Sequence, residues 1–83
     1  MPVDVQSIVP DNVVDARSMA CPGPLLEAKK AIGSVSVGQT LEIQSGDEGT
    51  REDIPAWCKK SGNEYAGFVE RDGYDSHFVV RRK

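Results

Sequence analysis

The spacing of apolar residues in the first half of the chain predicts a strand, a helix and a second strand. Val13 and Val14 indicate a short first strand that ends by Arg17. Residues 25–32 are good helix formers, and Gly33 is expected to end this helix. Residues 40–45 alternate between apolar and polar side chains, which predicts a strand with one buried face. The residues expected on the buried faces of the helix and of the second strand are Leu25, Ala28, Ile32, Leu41 and Ile43.

The second half of the chain predicts another helix followed by a hairpin. Thr50 and Asp53 have the spacing of a capping box, and Pro55 is expected within about the first turn of the helix. This second helix is expected to stop at residues 61–63, with an apolar face made by Ile54, Trp57 and Cys58. Two strands follow, at about 64–71 and 76–82, joined through Asp72 and Gly73.

The order β-α-β-α-β-β predicts an α+β fold, a two-layer α/β sandwich with two helices packed on one face of a four-stranded mixed sheet. Residues 1–11 show no periodicity and are interpreted as a flexible N-terminal leader, and residues 12–83 as a single domain. A chain of 83 residues cannot fill a second core, and it leaves little room for an enclosed cavity. Any chemistry is therefore expected at the surface.

Composition and charge exclude several classes of function. The net charge is −3, and the only basic run is 81–83, which argues against direct binding of nucleic acid. No apolar stretch approaches the about 20 residues that span a bilayer, and the N-terminus lacks signal-peptide features, so we expect a cytoplasmic protein with no membrane partner. One histidine and two separated cysteines give no metal-ligand spacing, so neither metal nor cofactor is expected.

Cys21 is the candidate for chemistry because it precedes the predicted first helix, at the N-cap. The helix dipole favours the thiolate there, but an effect of about 0.3 to 1 kcal/mol brings the pKa only from about 8.5 to near 8. Pro22 and Pro24 open the helix without losing a helical hydrogen bond, and with Gly23 they form a rigid turn that supports the thiol. A thiol whose pKa is near ambient pH suits repeated attack and release at sulfur.

The remaining candidates have ordinary structural interpretations. Cys58 and Trp57 are expected in the core, on the apolar face of the second helix. His77 is expected on an exposed sheet face that it shares with Val79 and Arg81, although a catalytic pair between His77 and Cys21 stays open. Thr50 is interpreted as a helix cap rather than as a phosphate ligand.

The Cys-Pro-Gly-Pro of residues 21–24 resembles the hallmark Cys-Pro-x-Pro of the TusA/SirA-like family of sulfur carrier proteins. The similarity covers residues 13–82. Ser18 and Met19 depart from the Gly and Leu that the family often has, and Ser18 would be strained if this position needed a positive φ. Other matching positions are Asp15, 29–32, Gly38, 53–55, Trp57, 62–64 and the Asp-Gly turn.

The resemblance implies that Cys21 accepts a sulfane sulfur from a persulfide donor protein, such as a cysteine desulfurase or a rhodanese. It implies transfer to an acceptor protein of a sulfur relay that feeds tRNA thiolation, cofactor synthesis or sulfur oxidation. The expected form is a monomer in transient complexes, a carrier rather than a stand-alone turnover enzyme, with Arg17, Met19 and Glu27 as partner contacts. The alternative is a thiol-based redox regulatory or interaction module in which no sulfur is passed on.

Overall fold

The structure, a computed structural model, describes residues 9–20 and 23–83. It confirms the predicted α+β sandwich and the order of its elements. No helix in the described ranges is long and apolar enough to cross a membrane. The strands are β1 (Asn12–Ala16), β2 (Thr40–Ser45), β3 (Glu64–Glu70) and β4 (Asp75–Val80), and the helices are α1 (Gly23–Ala31), continued by a 3-10 turn at Ile32–Ser34, and α2 (Thr50–Ser61).

The strands form one mixed sheet in the order β1-β2-β4-β3. β1 and β2 are parallel, whereas β4 is antiparallel to both of its neighbours. Because parallel strands end at the same edge, the loops after β1 and β2 lie together, and the β3–β4 hairpin reaches the same edge. We call this edge the loop end, formed by residues 17–20, 46–49 and 71–74.

The core lies between the sheet and the two helices. Ala28 from α1 and Ile54 and Cys58 from α2 pack against the inner face of the sheet. Cys58 therefore lies in the core as predicted, whereas Trp57 is half-buried at its margin. The buried sheet residues are Leu41, Ile43 and Val79, and Leu25 and Ile32 pack against the cluster as partly buried neighbours. Each aliphatic side chain of this size contributes about 1.5–3 kcal/mol when it is fully buried.

The start of α2 differs from the capping box that the sequence predicts. The N-cap residue is Gly49, and no side chain caps it. The hydroxyl oxygen of Thr50 lies 2.7 Å from that of Ser45, with both residues buried. Thr50 is thus the first helical residue, and it is turned toward the core because its hydroxyl finds a buried partner there. Pro55 is the sixth residue of α2, about half a turn beyond the first turn in which it was expected.

The position predicted for His77 is wrong. His77 is 0% exposed and pairs with Ile43 across β4 and β2, beneath the helices. Its Nδ1 lies 2.9 Å from the Tyr65 hydroxyl oxygen, and its ring lies 5.4 Å from that of Phe68. The alternation of side chains along β4 places His77 and Val79 on the same face of the sheet, as the sequence predicts. Because β4 is an inner strand, this face is covered by the helices and is not exposed.

The opposite face of the sheet is also less exposed than expected. Glu42 is only 8% exposed, and Phe78, which pairs with it across the strands, is 1% exposed. The Ser76 hydroxyl donates a hydrogen bond to Glu42 Oε2 at 3.2 Å, and the Gln44 amide donates to the same oxygen at 2.8 Å. These hydrogen bonds offset part of the cost of burying the Glu42 carboxylate. β2 is therefore buried on both faces, not on one.

Candidate functional site

Three loops meet closely at the loop end, and Gly46 allows this approach. A Cβ atom at Gly46 would lie 2.9 Å from the carbonyl oxygen of Arg17 and 3.8 Å from that of Gly73. The first distance is shorter than real Cβ contacts, and the neighbour is backbone that cannot rotate away. The loop after β1, which leads into the Cys-Pro-Gly-Pro segment, is therefore held against the loop after β2.

Cys21 and Pro22 lie outside the residues that the structure describes, but both flanks of this pair are described. The Gly23 N–H donates a hydrogen bond to the Ala20 carbonyl at 2.7 Å, and the Met19 N–H donates to the Ala16 carbonyl at 3.1 Å. Residues 20 and 23, on either side of this pair, therefore lie close together at the loop end. The N-cap position expected for Cys21 stays a prediction.

Gly23 and Pro24 begin α1, as the sequence predicts for the opening of this helix. Pro24 is buried, and its missing N–H costs nothing because the first four N–H groups of a helix have no intrahelical acceptor. Gly23 lies against Met19, since a Cβ at Gly23 would be 2.8 Å from Met19 Cβ. The Met19 side chain therefore occupies the space that a larger residue at position 23 would need.

Arg17 is tied to two neighbours at the loop end. Its Nε lies 2.9 Å from Asp15 Oδ1 and its second terminal nitrogen 3.0 Å from Asp15 Oδ2, while the guanidinium carbon lies 5.3 Å from the centre of the Tyr74 ring. The hydrogen bonds from Arg17 lower the pKa of Asp15 to about 2, and those to Asp15 raise the pKa of Arg17. The guanidinium is therefore oriented before any partner arrives.

Ser18, which departs from the family pattern, is not strained. In the described ranges, positive φ values occur only at glycines. Ser18 is therefore free of the backbone strain that a positive φ would cause.

A shallow depression of about 470 Å³ lies beside the flanks of Cys21. It is open to the surface. Two exposed apolar side chains flank the motif, Met19 at 38% and Leu26 at 50% exposure. The depression is lined by Arg17, Ser18, Met19, Ala20, Gly46, Asp47 and Glu48.

The structure brings together two of the three expected partner contacts. Arg17 and Met19 line the depression, whereas Glu27 lies on α1 with Oε1 3.5 Å from Lys30 Nζ and is absent from the lining. Leu26 was missed by the sequence analysis. The sequence feature that could have identified Leu26 as a contact residue is that it is apolar and yet lies off the buried face defined by Leu25 and Ala28.

The other titratable groups considered from sequence lie away from this surface. Burial raises the pKa of the Cys58 thiol to about 11, so it stays protonated in the core. Burial lowers the pKa of His77 to about 4, and its ring contacts Tyr65 and Phe68 under the helices. Within residues 9–20 and 23–83, no three side chains of His, Cys, Asp or Glu are grouped as metal ligands.

Fold and sequence together define the class of this protein as a small two-layer α+β domain in which a Cys-Pro-Gly-Pro sequence follows the first strand and its last two residues begin the first helix. The family model described as "Sulfurtransferase TusA" matches residues 12–82. The chain therefore belongs to the TusA family of sulfur carrier proteins.

Individual relatives agree with this assignment. A putative sulfur carrier protein of Archaeoglobus fulgidus is 45% identical over 62 residues, covering 75% of this chain and 85% of the relative. The sulfur carrier protein TusA of Allochromatium vinosum is 36% identical over 72 residues, covering 87% and 93%. The crystal structure of a SirA-like protein from Desulfitobacterium hafniense has a TM-score of 0.75 at 22% identity, covering 87% of this chain and 99% of that one, which shows the shared fold.

Proposed function

We propose that this protein carries sulfur as a persulfide on Cys21, within the domain formed by residues 12–83. The observation that carries the proposal is the position of both flanks of Cys21 at the loop end, beside a depression that is open to the surface. Sulfur transfer between proteins needs an accessible thiol and a partner that completes the site. Membership of a sulfur carrier family supports the same assignment.

The transfer needs no external oxidant. The Cys21 thiolate attacks the outer sulfur of a donor persulfide, a new S–S bond forms, the donor's S–S bond breaks, and the donor cysteine leaves as a thiolate. In the second step an acceptor thiolate attacks the outer sulfur of the Cys21 persulfide, and Cys21 leaves as a thiolate. The persulfide stays at the same oxidation level throughout, because each step exchanges one S–S bond for another.

The proposed partners are a persulfide donor, either a cysteine desulfurase or a rhodanese, and an acceptor protein of a sulfur relay, encountered transiently by a monomer in the cytoplasm. Arg17 and Met19 support donor docking as neighbours in one depression, one an oriented cation and the other an exposed apolar side chain. Glu27 is proposed as a contact at the edge of this surface, since it lies one turn into α1. The outlet is tRNA thiolation, cofactor sulfur supply or sulfur oxidation.

Incubation with a cysteine desulfurase and cysteine, followed by intact mass measurement, tests the proposal. The expected result is a gain of one sulfur atom that a reductant reverses and that an acceptor thiol protein removes. The variant Cys21→Ser should gain no sulfur.

Cys58→Ala is the matched control, because it removes the only other cysteine. It should still gain one sulfur, since the Cys58 thiol is buried and protonated. Circular dichroism confirms that both variants are folded. A folded wild-type protein that gains no sulfur from either a desulfurase or a rhodanese, and forms only mixed disulfides at Cys21, would identify a redox module instead.

A further inference from the structure

Basic residues that are scattered along the sequence come together at one end of the fold. Both helices start at the loop end and finish at the opposite end, where residues 81–83 follow β4. We call this opposite end the basic end, because seven of the ten basic residues lie there; Arg17 and Arg71 lie at the loop end, and Arg51 lies in the first turn of α2. The seven are Lys29, Lys30, Lys59, Lys60, Arg81, Arg82 and Lys83.

The contacts of the chain terminus confirm that these segments adjoin. Lys83 lies against the end of α2, since a Cβ at Gly62 would be 2.8 Å from Lys83 Cε. Arg81 donates a hydrogen bond to the Val35 carbonyl oxygen at 2.6 Å, just after the 3-10 turn that follows α1. Of the seven cations, Lys30 and Arg82 are in ion pairs, with Glu27 and Glu64. Within the described part of the chain, Lys29 and Lys60 have no carboxylate partner.

A groove between α1 and α2 leads into the basic end. It has a volume of about 220 Å³, and Leu25, Ala56 and Trp57 supply its apolar lining. Lys29 and Lys60, one from the last turn of each helix, also line it. Leu25 and Trp57 are half-buried, so part of each side chain faces the groove, and the two lysines are exposed.

We propose that this groove docks an acidic amphipathic segment of a partner protein. In this complex one large apolar side chain of the partner packs on Leu25 and Trp57, and carboxylates on either side of it pair with Lys29 and Lys60. Two helices with an apolar seam between them are a common receptor for an amphipathic peptide, and the paired cations at the seam select carboxylates. We call this surface the lysine groove.

Two features favour an acidic peptide over a nucleic acid or a small ligand. The groove combines two lysines with an apolar lining of Leu25, Ala56 and Trp57, which a partner's apolar side chain would cover, and among the described residues it has no basic stripe of the kind that follows a phosphate backbone. The volume is below the about 300–1,000 Å³ typical of small-molecule sites, but it suits one apolar side chain. The groove walls reach the flank of the motif only at Leu25, so a segment anchored at the basic end leaves the depression beside Met19 open for a second protein.

Trp57 is the only tryptophan, so its fluorescence reports directly on the groove. The probe is a short synthetic peptide with two glutamates four positions apart and a leucine between them. We expect a saturable change in Trp57 emission that weakens as salt is added, and that is lost when glutamine replaces both glutamates or serine replaces the leucine. The same titration of Cys21→Ser should be unchanged, which separates this inference from the sulfur carrier proposal.

Matched charge reversals locate the binding. The double variant Lys29→Glu with Lys60→Glu should weaken binding at least about tenfold, because two ion pairs become repulsive contacts. Lys30→Glu with Lys59→Glu has the same net charge on the same helices but lies outside the groove, and it should weaken binding less than about threefold. Circular dichroism verifies the fold of both.

Three results would overturn the inference. The first is the absence of any emission change with the acidic peptide. The second is equal weakening by the two double variants, which would indicate only diffuse attraction to the basic end. The third is a single-stranded oligouridylate that shifts Trp57 emission at lower concentration than the peptide, which would identify a nucleic-acid surface instead.

Discussion

Acidification from pH 7 to pH 5 should destabilise this protein through His77. The imidazole of His77, on β4, is fully buried; the Tyr65 hydroxyl oxygen lies 2.9 Å from Nδ1, while Nε2 has no hydrogen-bond partner within the described residues. Burial is the main cause that lowers its pKa from 6.5 to about 4; Asp75 opposes the shift and Arg51 adds to it. A second proton on the ring would create a buried imidazolium whose Nε2–H has no acceptor among the described residues, which is costly.

The magnitude follows from proton linkage. Between about pH 6.5 and pH 4 the unfolded chain binds a proton at His77 and the folded chain does not, so lowering the pH reduces the free energy of unfolding. A pKa difference of about 2.5 corresponds to roughly 3.4 kcal/mol in total, of which about 2 kcal/mol is lost by pH 5. This is a large part of the stability of a domain of this size.

Urea unfolding followed by circular dichroism at pH 7, 6 and 5 measures the effect. The control is His77→Gln, which keeps an amide that can pair with the Tyr65 hydroxyl but does not titrate. His77 is the only histidine, and the pKa of Asp15 is held at about 2, so neither histidine nor Asp15 titration contributes to the variant in this interval. Wild type should lose about 2 kcal/mol from pH 7 to pH 5, and the variant less than about 0.5 kcal/mol.

Parallel losses in the two proteins would refute the reasoning. So would an imidazole that titrates near pH 6.5 in the folded state, observed by NMR as a pH-dependent shift of the His77 ring protons under conditions where the backbone spectrum remains native.

Three further outcomes follow from the loop end. Gly46→Ala should destabilise the fold by about 1–3 kcal/mol in thermal melts, because its Cβ would press on the Arg17 backbone. The control Gly33→Ala has open space around it and should not destabilise the fold, and equal destabilisation by the two variants would contradict this packing. Gly23→Ala should slow sulfur transfer several-fold by displacing Met19, and a rate equal to wild type would mean that the Met19 position is irrelevant to docking. Arg17→Gln should leave the melting temperature nearly unchanged, because its ion pair is exposed, while weakening donor binding measured by titration calorimetry; unaltered affinity would remove Arg17 from the contact surface.

Local pattern was sufficient for much of this protein. The alternation of residues 40–45 predicted β2, and Asp72-Gly73 predicted the hairpin, whose Arg71 N–H bonds to the Tyr74 carbonyl at 2.7 Å. Pro24 and Gly62 predicted a helix start and a helix end because proline lacks an N–H and glycine tolerates a positive φ, here 81°. These features depend on residues that are neighbours in sequence, so they can be predicted without knowledge of the tertiary structure.

Thr50 and His77 show where local pattern was insufficient. The same Thr50 could cap α2 in a capping box or pair its hydroxyl with a buried partner. The position of Ser45 in the fold, with its hydroxyl oxygen 2.7 Å from that of Thr50, decides for the buried pair. Likewise, alternation separates His77 from Phe78 but does not say which face the helices cover, and in an inner strand both faces can be buried. Burial is a property of the packed layers, not of the strand.

The sequence by itself determined the order of the elements and the start of α1 near Pro24, because these follow from residues close together in the chain, and the order of the elements in turn predicted the sandwich. The tertiary structure decided that Arg17 and Met19 share a depression that excludes Glu27, that His77 is buried, and that seven cations collect at the end away from the motif. Those cations come from three separate segments, the ends of the two helices and the residues after β4. They come together because both helices and β4 run antiparallel to β1 and β2 and so end at the same side of the fold.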